Sequence, residues 1–241
     1  MNITASLHMR IDILTIFPAM FKGPFTESLI GKASKKEILK ISIIDIRSFC
    51  KDKHKKVDDR PFGGGAGMVI KAEPVYSAIR SIGIKKKNNS YKNIYLKPYV
   101  IYMSPQGKTL DSKIVKNLAK FKHLVIICGH YEGVDERVMN YVDEEISIGD
   151  YVLTGGEIPA MVLTDAVARM LPGVVKEEDS VKNDSFYNGL LDYPHYTRPA
   201  VFKGYKVPEI LLSGDHKKIS EWCLKEAYRR TKERRPDLLK K

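Results

Sequence analysis

The sequence predicts an α/β fold: a parallel sheet flanked by helices on both faces, followed by a smaller unit. Two observations carry the first part. Five short runs are rich in β-branched and apolar residues, and helical patterns fall between several of them. Strand alternating with helix means parallel pairing with both sheet faces covered. A third observation carries the second part, because a charged stretch poor in apolar residues follows Gly173 and reads as a linker.

The strand-like runs are, in order, "RIDILTIF" (10–17), "ILKISIIDI" (38–46), "YVIYMS" (99–104), "HLVIICG" (123–129) and "EEISIGD" (144–150). Helical spacing marks 73–82, 110–121 and 134–141. In "LTDAVARML" (163–171) the stripe of Leu163, Ala166, Val167, Met170 and Leu171 faces a core, and Asp165 and Arg169 form an exposed i,i+4 pair. "GIKKKNNSYKN" (83–93) has no period and reads as a surface insertion, and the first eight residues read as an unstructured extension. The expected boundaries are therefore a first domain at 1–173, a linker at 174–190 and a second domain at 191–241.

At 241 residues the chain can bury a substantial core, and 43% hydrophobic with 29% charged residues is ordinary globular composition. No apolar run approaches the roughly 20 residues of a membrane span, and no signal-type segment opens the chain, so the expectation is a cytoplasmic protein with no membrane partner. Cys50, Cys128 and Cys223 lie far apart, which argues against a disulfide framework or a CxxC pair. The net charge of +12 favours a polyanionic partner. From Lys217 to Lys241 there are ten Lys or Arg against four Asp or Glu, half of that excess, on a helical pattern with Ile219, Trp222, Cys223 and Ala227 as its stripe. A second basic cluster, "KDKHKKVDDR" (51–60), tilts the reading toward nucleic acid.

Familiar phosphate motifs fail. "FGGGAG" (62–67) is not a dinucleotide fingerprint, since Met68 stands where the last glycine belongs, and "GKT" (107–109) has Tyr102 where a P-loop needs glycine. No histidine pair has metal-ligand spacing, so no protein-bound transition metal is expected. Three glycine-bearing loops remain, each at the end of an expected strand: "SPQG" (104–107), "CGHYEG" (128–133) and "IGDYVLTGGE" (148–157). Ligands of open α/β sheets gather at the carboxyl ends of the strands. Glycine there lets main-chain donors and acceptors approach a flat ring, so an adenine could be read by backbone alone.

Taken together, "RPFGGGAGM" (60–68), "YMSPQG" (102–107), "CGHYEGVDERV" (128–138), "SIGDYVLTGGEIPAMVLTDAVARMLPGV" (147–174) and "DSFYNGLLDYPHYTRP" (184–199) closely resemble the bacterial tRNA (guanine-N1)-methyltransferases of the SPOUT class. The resemblance spans about residues 9–239. It implies a deep trefoil knot in the C-terminal half of the first domain, a small helical tRNA-gripping domain, and a homodimer whose active site draws on both subunits. It also implies S-adenosylmethionine as cofactor and raises a Mg²⁺ requirement, for which the sequence shows no ligand cage.

Residue by residue, the resemblance implies that Ile148, Gly149, Tyr151, Val152, Leu153, Gly155, Gly156 and Pro159 wrap the adenosine. Tyr102, Met103, Ser104 and Pro105 match another wall, and Gly129 and Glu132 match residues beside the ribose and methionine part. His130 departs from the family's usual arginine, replacing a fixed charge by a titratable one. Asp184 matches the general base and Arg169 the cation aimed at guanine O6. Asp179, preceded by Glu177 and Glu178 as the family's base often is, is the alternative. Asp192, His195 and Arg198 are the candidate substrate-binding groups.

Overall fold

A computed structural model describes residues 9–84, 93–177 and 181–240. The N-terminal extension, nearly all of the 83–93 insertion and the alternative base Asp179 lie outside the described residues. The chain divides into two compact units, Met1–Lys176 and Glu177–Lys241.

Along the first unit run β1 (Met9–Thr15), α1 (Ser28–Lys35), β2 (Leu39–Asp45), β3 (Asp58–Asp59), β4 (Val69–Ile70), α2 (Ala72–Ser81), β5 (Tyr99–Thr109), α3 (Ser112–Leu118), β6 (His123–Cys128), β7 (Glu144–Ser147) and α4 (Glu157–Arg169). Five strands form one sheet in the order β2-β1-β6-β5-β7, every pair parallel. The sheet is buried on both faces, which is why its central strands read as almost unbroken apolar runs. On one face Ile11, Ile13, Ile101, Leu124 and Ile126 pack with Ile30 of α1, Leu118 of α3, and Leu163 and Val167 of α4. On the other, Leu14, Val100, Val125 and Ile127 pack with Val75, Ala78 and Ile79 of α2.

Three elements differ from expectation. The helix expected at 110–121 is shorter because Asp111 caps it, its carboxylate accepting from the amides of Lys113 and Ile114. Residues 136–141 form a 3₁₀ turn rather than an α-helix, started by the Asp135 side chain. β5 runs on to Thr109 instead of ending at residue 104. Met103 and Lys108 both pair with Ile146, so residues 104–107 bulge out of the strand before it re-pairs. Gly107 permits this, since a Cβ there would stand 2.4 Å from the main chain of both Glu145 and Ile146.

In the second unit, β8 (Val201–Phe202) and β9 (Tyr205–Lys206) form a hairpin, and α5 (His216–Arg234) starts on the Asp215 cap. Its buried stripe follows the expected period, with Ala227 and Thr231 buried and Ile219, Trp222 and Cys223 half-buried. The Thr231 hydroxyl accepts from the Leu191 amide, and the Ser185 hydroxyl accepts from the Asp192 amide. Residues 185–192 are thus tied to this unit by its own hydrogen bonds.

One buried charge lies inside the sheet. Asp12, fully buried on β1, accepts from the Arg10 guanidinium at 3.0 Å and shares a 2.8 Å hydrogen bond with His123 Nε2 on β6. Burial pushes its carboxyl up, but the two hydrogen-bond partners and their charges outweigh that and hold it below its ordinary value of 3.8. A depressed carboxyl contributes stability above its unfolded value, and the contribution fades as pH falls through the folded one. Urea unfolding of the wild type and Asp12→Asn is therefore expected to show a stability gap that narrows as pH falls below about 4.

Candidate active site

The carboxyl ends of β5, β6 and β7 open into a cavity of about 350 Å³. Its walls are the β5 bulge, the 129–134 loop and the 148–156 loop. All fourteen residues that the resemblance assigned to the cofactor line it: Tyr102 to Pro105 on one wall, Gly129 and Glu132 on a second, and Ile148, Gly149, Tyr151, Val152, Leu153, Gly155, Gly156 and Pro159 on the third.

The loops are held by main chain. Gly156 donates its amide to Gly129 O at 2.8 Å, and His130 and Gly155 form an isolated antiparallel bridge. A Cβ on Gly156 would stand 2.8 Å from Cys128 Cα and 2.9 Å from the Gly129 nitrogen, both backbone atoms that have nowhere to retreat. The second strand of support comes from the glycine-rich hairpin that β3 and β4 close. Glu132 donates its amide to Met68 O, and the Gly133 carbonyl accepts from Ile70 N, so residues 68–70 lie against the 132–133 turn.

Beneath the glycines sits a buried polar pair that the sequence reading missed. Glu157, 1% exposed at the first position of α4, accepts from the equally buried Thr15 hydroxyl at 2.7 Å. The helix N-terminus favours its negative charge. A hydrogen bond to a buried carboxylate is worth about 1.5–3 kcal/mol, so this contact ties the end of β1 to the start of α4. His130 Nδ1 is buried nearby without a hydrogen-bond partner, and its ring meets Phe17 and Tyr131 edge-on at 4.8 and 4.6 Å. Both Glu157 Oε2 (2.4 Å) and His130 Nδ1 (2.6 Å) crowd the point where a Gly155 Cβ would be. A carboxylate directly after two glycines at a helix start was the signal available in "TGGE".

Burial raises the Tyr102 phenol, partly offset by a hydrogen bond from the Val134 backbone, and burial raises the Cys128 thiol well above its ordinary value, with Glu157 adding to it. Tyr102 thus serves as a neutral wall and Cys128 as an inert apolar contact. Arg169 ends α4 and is half-buried. In the second unit Asp184 and Asp192 line another cavity of about 340 Å³, bounded by Leu191, Cys223 and Ala227. His195 Nε2 shares a 2.7 Å hydrogen bond with Asp192, while Arg198 is exposed. Among the described residues no three His, Cys, Asp or Glu gather to hold a metal, so they offer Mg²⁺ no ligand set of their own.

The backbone crossing makes a steric prediction. Gly156→Ala, whose native φ of −81° suits alanine, should still lose about 1–3 kcal/mol through overpacking. Gly23→Ala, where a Cβ meets nothing within 4 Å, should stay within about 0.5 kcal/mol. Differential scanning calorimetry of the two variants checks the contrast.

Residues 9–241 match the family described as tRNA (Guanine-1)-methyltransferase TrmD. Relatives named tRNA (guanine-N(1)-)-methyltransferase include one from Endomicrobium trichonymphae, 81% identical over 97% of this chain and 100% of the relative. Another, from Fusobacterium nucleatum, is 57% identical over 96% of this chain and 91% of its own length. A third, from Ruminiclostridium cellulolyticum, is 52% identical over 97% of both. With an α/β sheet of the expected class, glycine loops gathered at its carboxyl edge and a match over nearly the whole length, the chain belongs to the tRNA (guanine-1)-methyltransferase family.

Proposed function

We propose that this enzyme transfers a methyl group from S-adenosylmethionine to N1 of the guanine on the 3′ side of the tRNA anticodon, with the donor held in the β5–β7 cavity. The observation that carries this reading is the convergence of all fourteen expected residues on one cavity at the carboxyl edge of the sheet. The cavity fits the donor's adenosine: the missing Cβ atoms of Gly155 and Gly156 let the 148–156 loop close onto residues 128–130, and residues of both loops line the space between them. The deep knot implied by the resemblance belongs to the same reading.

Bound S-adenosylmethionine supplies a methyl carbon on a cationic sulfur, and its loss leaves a neutral thioether, so the difficulty lies with the acceptor. Guanine N1 carries a proton near neutrality. Asp184 is the base that removes it, a contribution of roughly 10²- to 10⁴-fold. The freed electron pair forms the N1–carbon bond as the carbon–sulfur bond breaks, and its electrons go to sulfur. Negative charge shared with O6 on deprotonation is met by Arg169, which favours the transition state over the ground state. Asp192, with His195 hydrogen-bonded to it, recognises the flipped base, and Arg198 contacts nearby RNA.

The dimer belongs to this reading as well. Val152, Leu153, Ile158 and Val162 stay exposed in the first unit, and Ile158 and Val162 sit four apart on one face of α4. Apolar groups gathered beside a site mark an interface, and a second copy of the chain is the partner that a shared site requires. No described helix is long and apolar enough to cross a membrane, and we assign the enzyme, with its tRNA substrate, to the cytoplasm.

Asp184→Asn should lower methyl transfer to tRNA by at least 10²-fold with the S-adenosylmethionine Kd unchanged, as read by tritium incorporation and calorimetry. Activity retained within about tenfold would move the base role to Asp179. Arg169→Ala should reduce transfer far more than donor affinity, and equal losses would make it a structural residue. In sedimentation velocity the wild type should run as a dimer and Ile158→Glu/Val162→Glu as a monomer; a monomeric wild type would contradict the interface.

A further inference from the structure

The second unit presents a pair of exposed rings that catalysis does not use. In the β8–β9 ladder Phe202 stands directly opposite Tyr205, and Val201 opposite Lys206. Directly opposed residues share a face, so the two aromatic side chains lie next to each other on one side of the hairpin. Between them the turn is Lys203-Gly204, with φ of +50° and +84°. Positive φ at both central residues is the two-residue turn whose twist matches the strands, so the rings are carried on a defined frame rather than a loose loop.

These rings face solvent. Phe202 is 61% and Tyr205 80% exposed, so neither contributes to the core of its unit. Their setting is cationic: Lys203 Nζ lies 5.7 Å from the Phe202 ring centroid, and Arg198, Lys203 and Lys206 are all exposed. From residue 195 to residue 207 there is no Asp or Glu. Flat apolar faces with flanking cations and no anion complement unpaired nucleobases joined by phosphates, which stack on aromatic side chains without regard to sequence.

We infer that the Phe202–Tyr205 hairpin is a stacking platform for unpaired bases of the RNA substrate, with Lys203 and Lys206 placed for the adjoining phosphates. It rests on the tRNA reading above and adds to it a surface outside the catalytic groups. A duplex stem keeps its base faces covered, so the platform takes loop nucleotides. Stacking of this kind holds an RNA by the form of its loop and tolerates many sequences.

The test is a fluorescence-anisotropy titration of a labelled anticodon stem-loop against the full-length protein, alongside methyl-transfer kinetics. Phe202→Ala/Tyr205→Ala and Phe202→Leu/Tyr205→Leu are compared, the second keeping apolar bulk but no π-face. Both should raise the RNA Kd and the tRNA KM by roughly tenfold or more, with kcat, donor affinity and thermal midpoint unchanged. An RNA Kd that stays at the wild-type value in either double variant overturns the platform, as does loss of the dimer in the alanine pair, which would assign the face to a protein contact. The platform is read from RNA binding and the proposed reaction from methylated product, so the two can fail separately.

Discussion

The first unit is organised around a place where two stretches of main chain touch with nothing between them. Gly156 donates to the Gly129 carbonyl at 2.8 Å, and the space a Cβ would need on Gly156 is already taken by the backbone of residues 128 and 129. That contact fixes the loop after β7 against the loop after β6, while the β5 bulge that Gly107 allows is held by pairing with β7. It also fixes where α4 begins. From there the helix carries Leu163 and Val167 into the core and ends on Arg169, so the position of that guanidinium follows from a crossing thirteen residues earlier.

Such a crossing needs support from below, because loops at a sheet edge otherwise open easily. The Thr15 hydroxyl and the Glu157 carboxylate supply it, linking the end of the interior strand β1 to the first turn of α4. A carboxylate this deeply buried is tolerable only with hydrogen-bond donors and a favourable field, and the hydroxyl and the helix N-terminus provide both. The buried, unpartnered Nδ1 of His130 lies against the neighbouring Gly155. Its ring meets Phe17 and Tyr131 edge-on, which fixes it beside the crossing. Loops pinned by main-chain hydrogen bonds and braced by buried polar groups leave less backbone to order when a ligand binds.

The sheet was legible because its strands are short apolar runs divided by helices, and β6 appears almost residue for residue in "HLVIICG". The site loops were legible as glycines at strand ends, the place where ligands of open α/β sheets gather, and the family resemblance added which ligand to expect. What stayed hidden has physical causes. The continuation of β5 past Pro105 depends on pairing with β7 across a bulge, a long-range contact that local pattern does not encode. α1 went unread because its buried face is only Ile30, Gly31 and Ala33, too little for a clear stripe. Residues 136–141 kept the helical spacing but too short a run for an α-helix. Glu157 was invisible as a structural group because charge at a helix start usually faces water, and its partner Thr15 lies 142 residues away. Arg169 and Asp184 carry no local mark of chemistry, so their roles rest on family resemblance.

The central claim is that main chain at the carboxyl edge of β5, β6 and β7, rather than a set of side chains, holds the adenosine of the methyl donor. A crystal structure of the protein with S-adenosylmethionine bound tests it most directly. The account predicts the adenine edge within hydrogen-bonding distance of backbone amides and carbonyls of residues 148–156, with the ring over Gly155 and Gly156. An adenine lodged in the cavity beside Asp184 and Cys223, or held only by side chains at the first site, would contradict it.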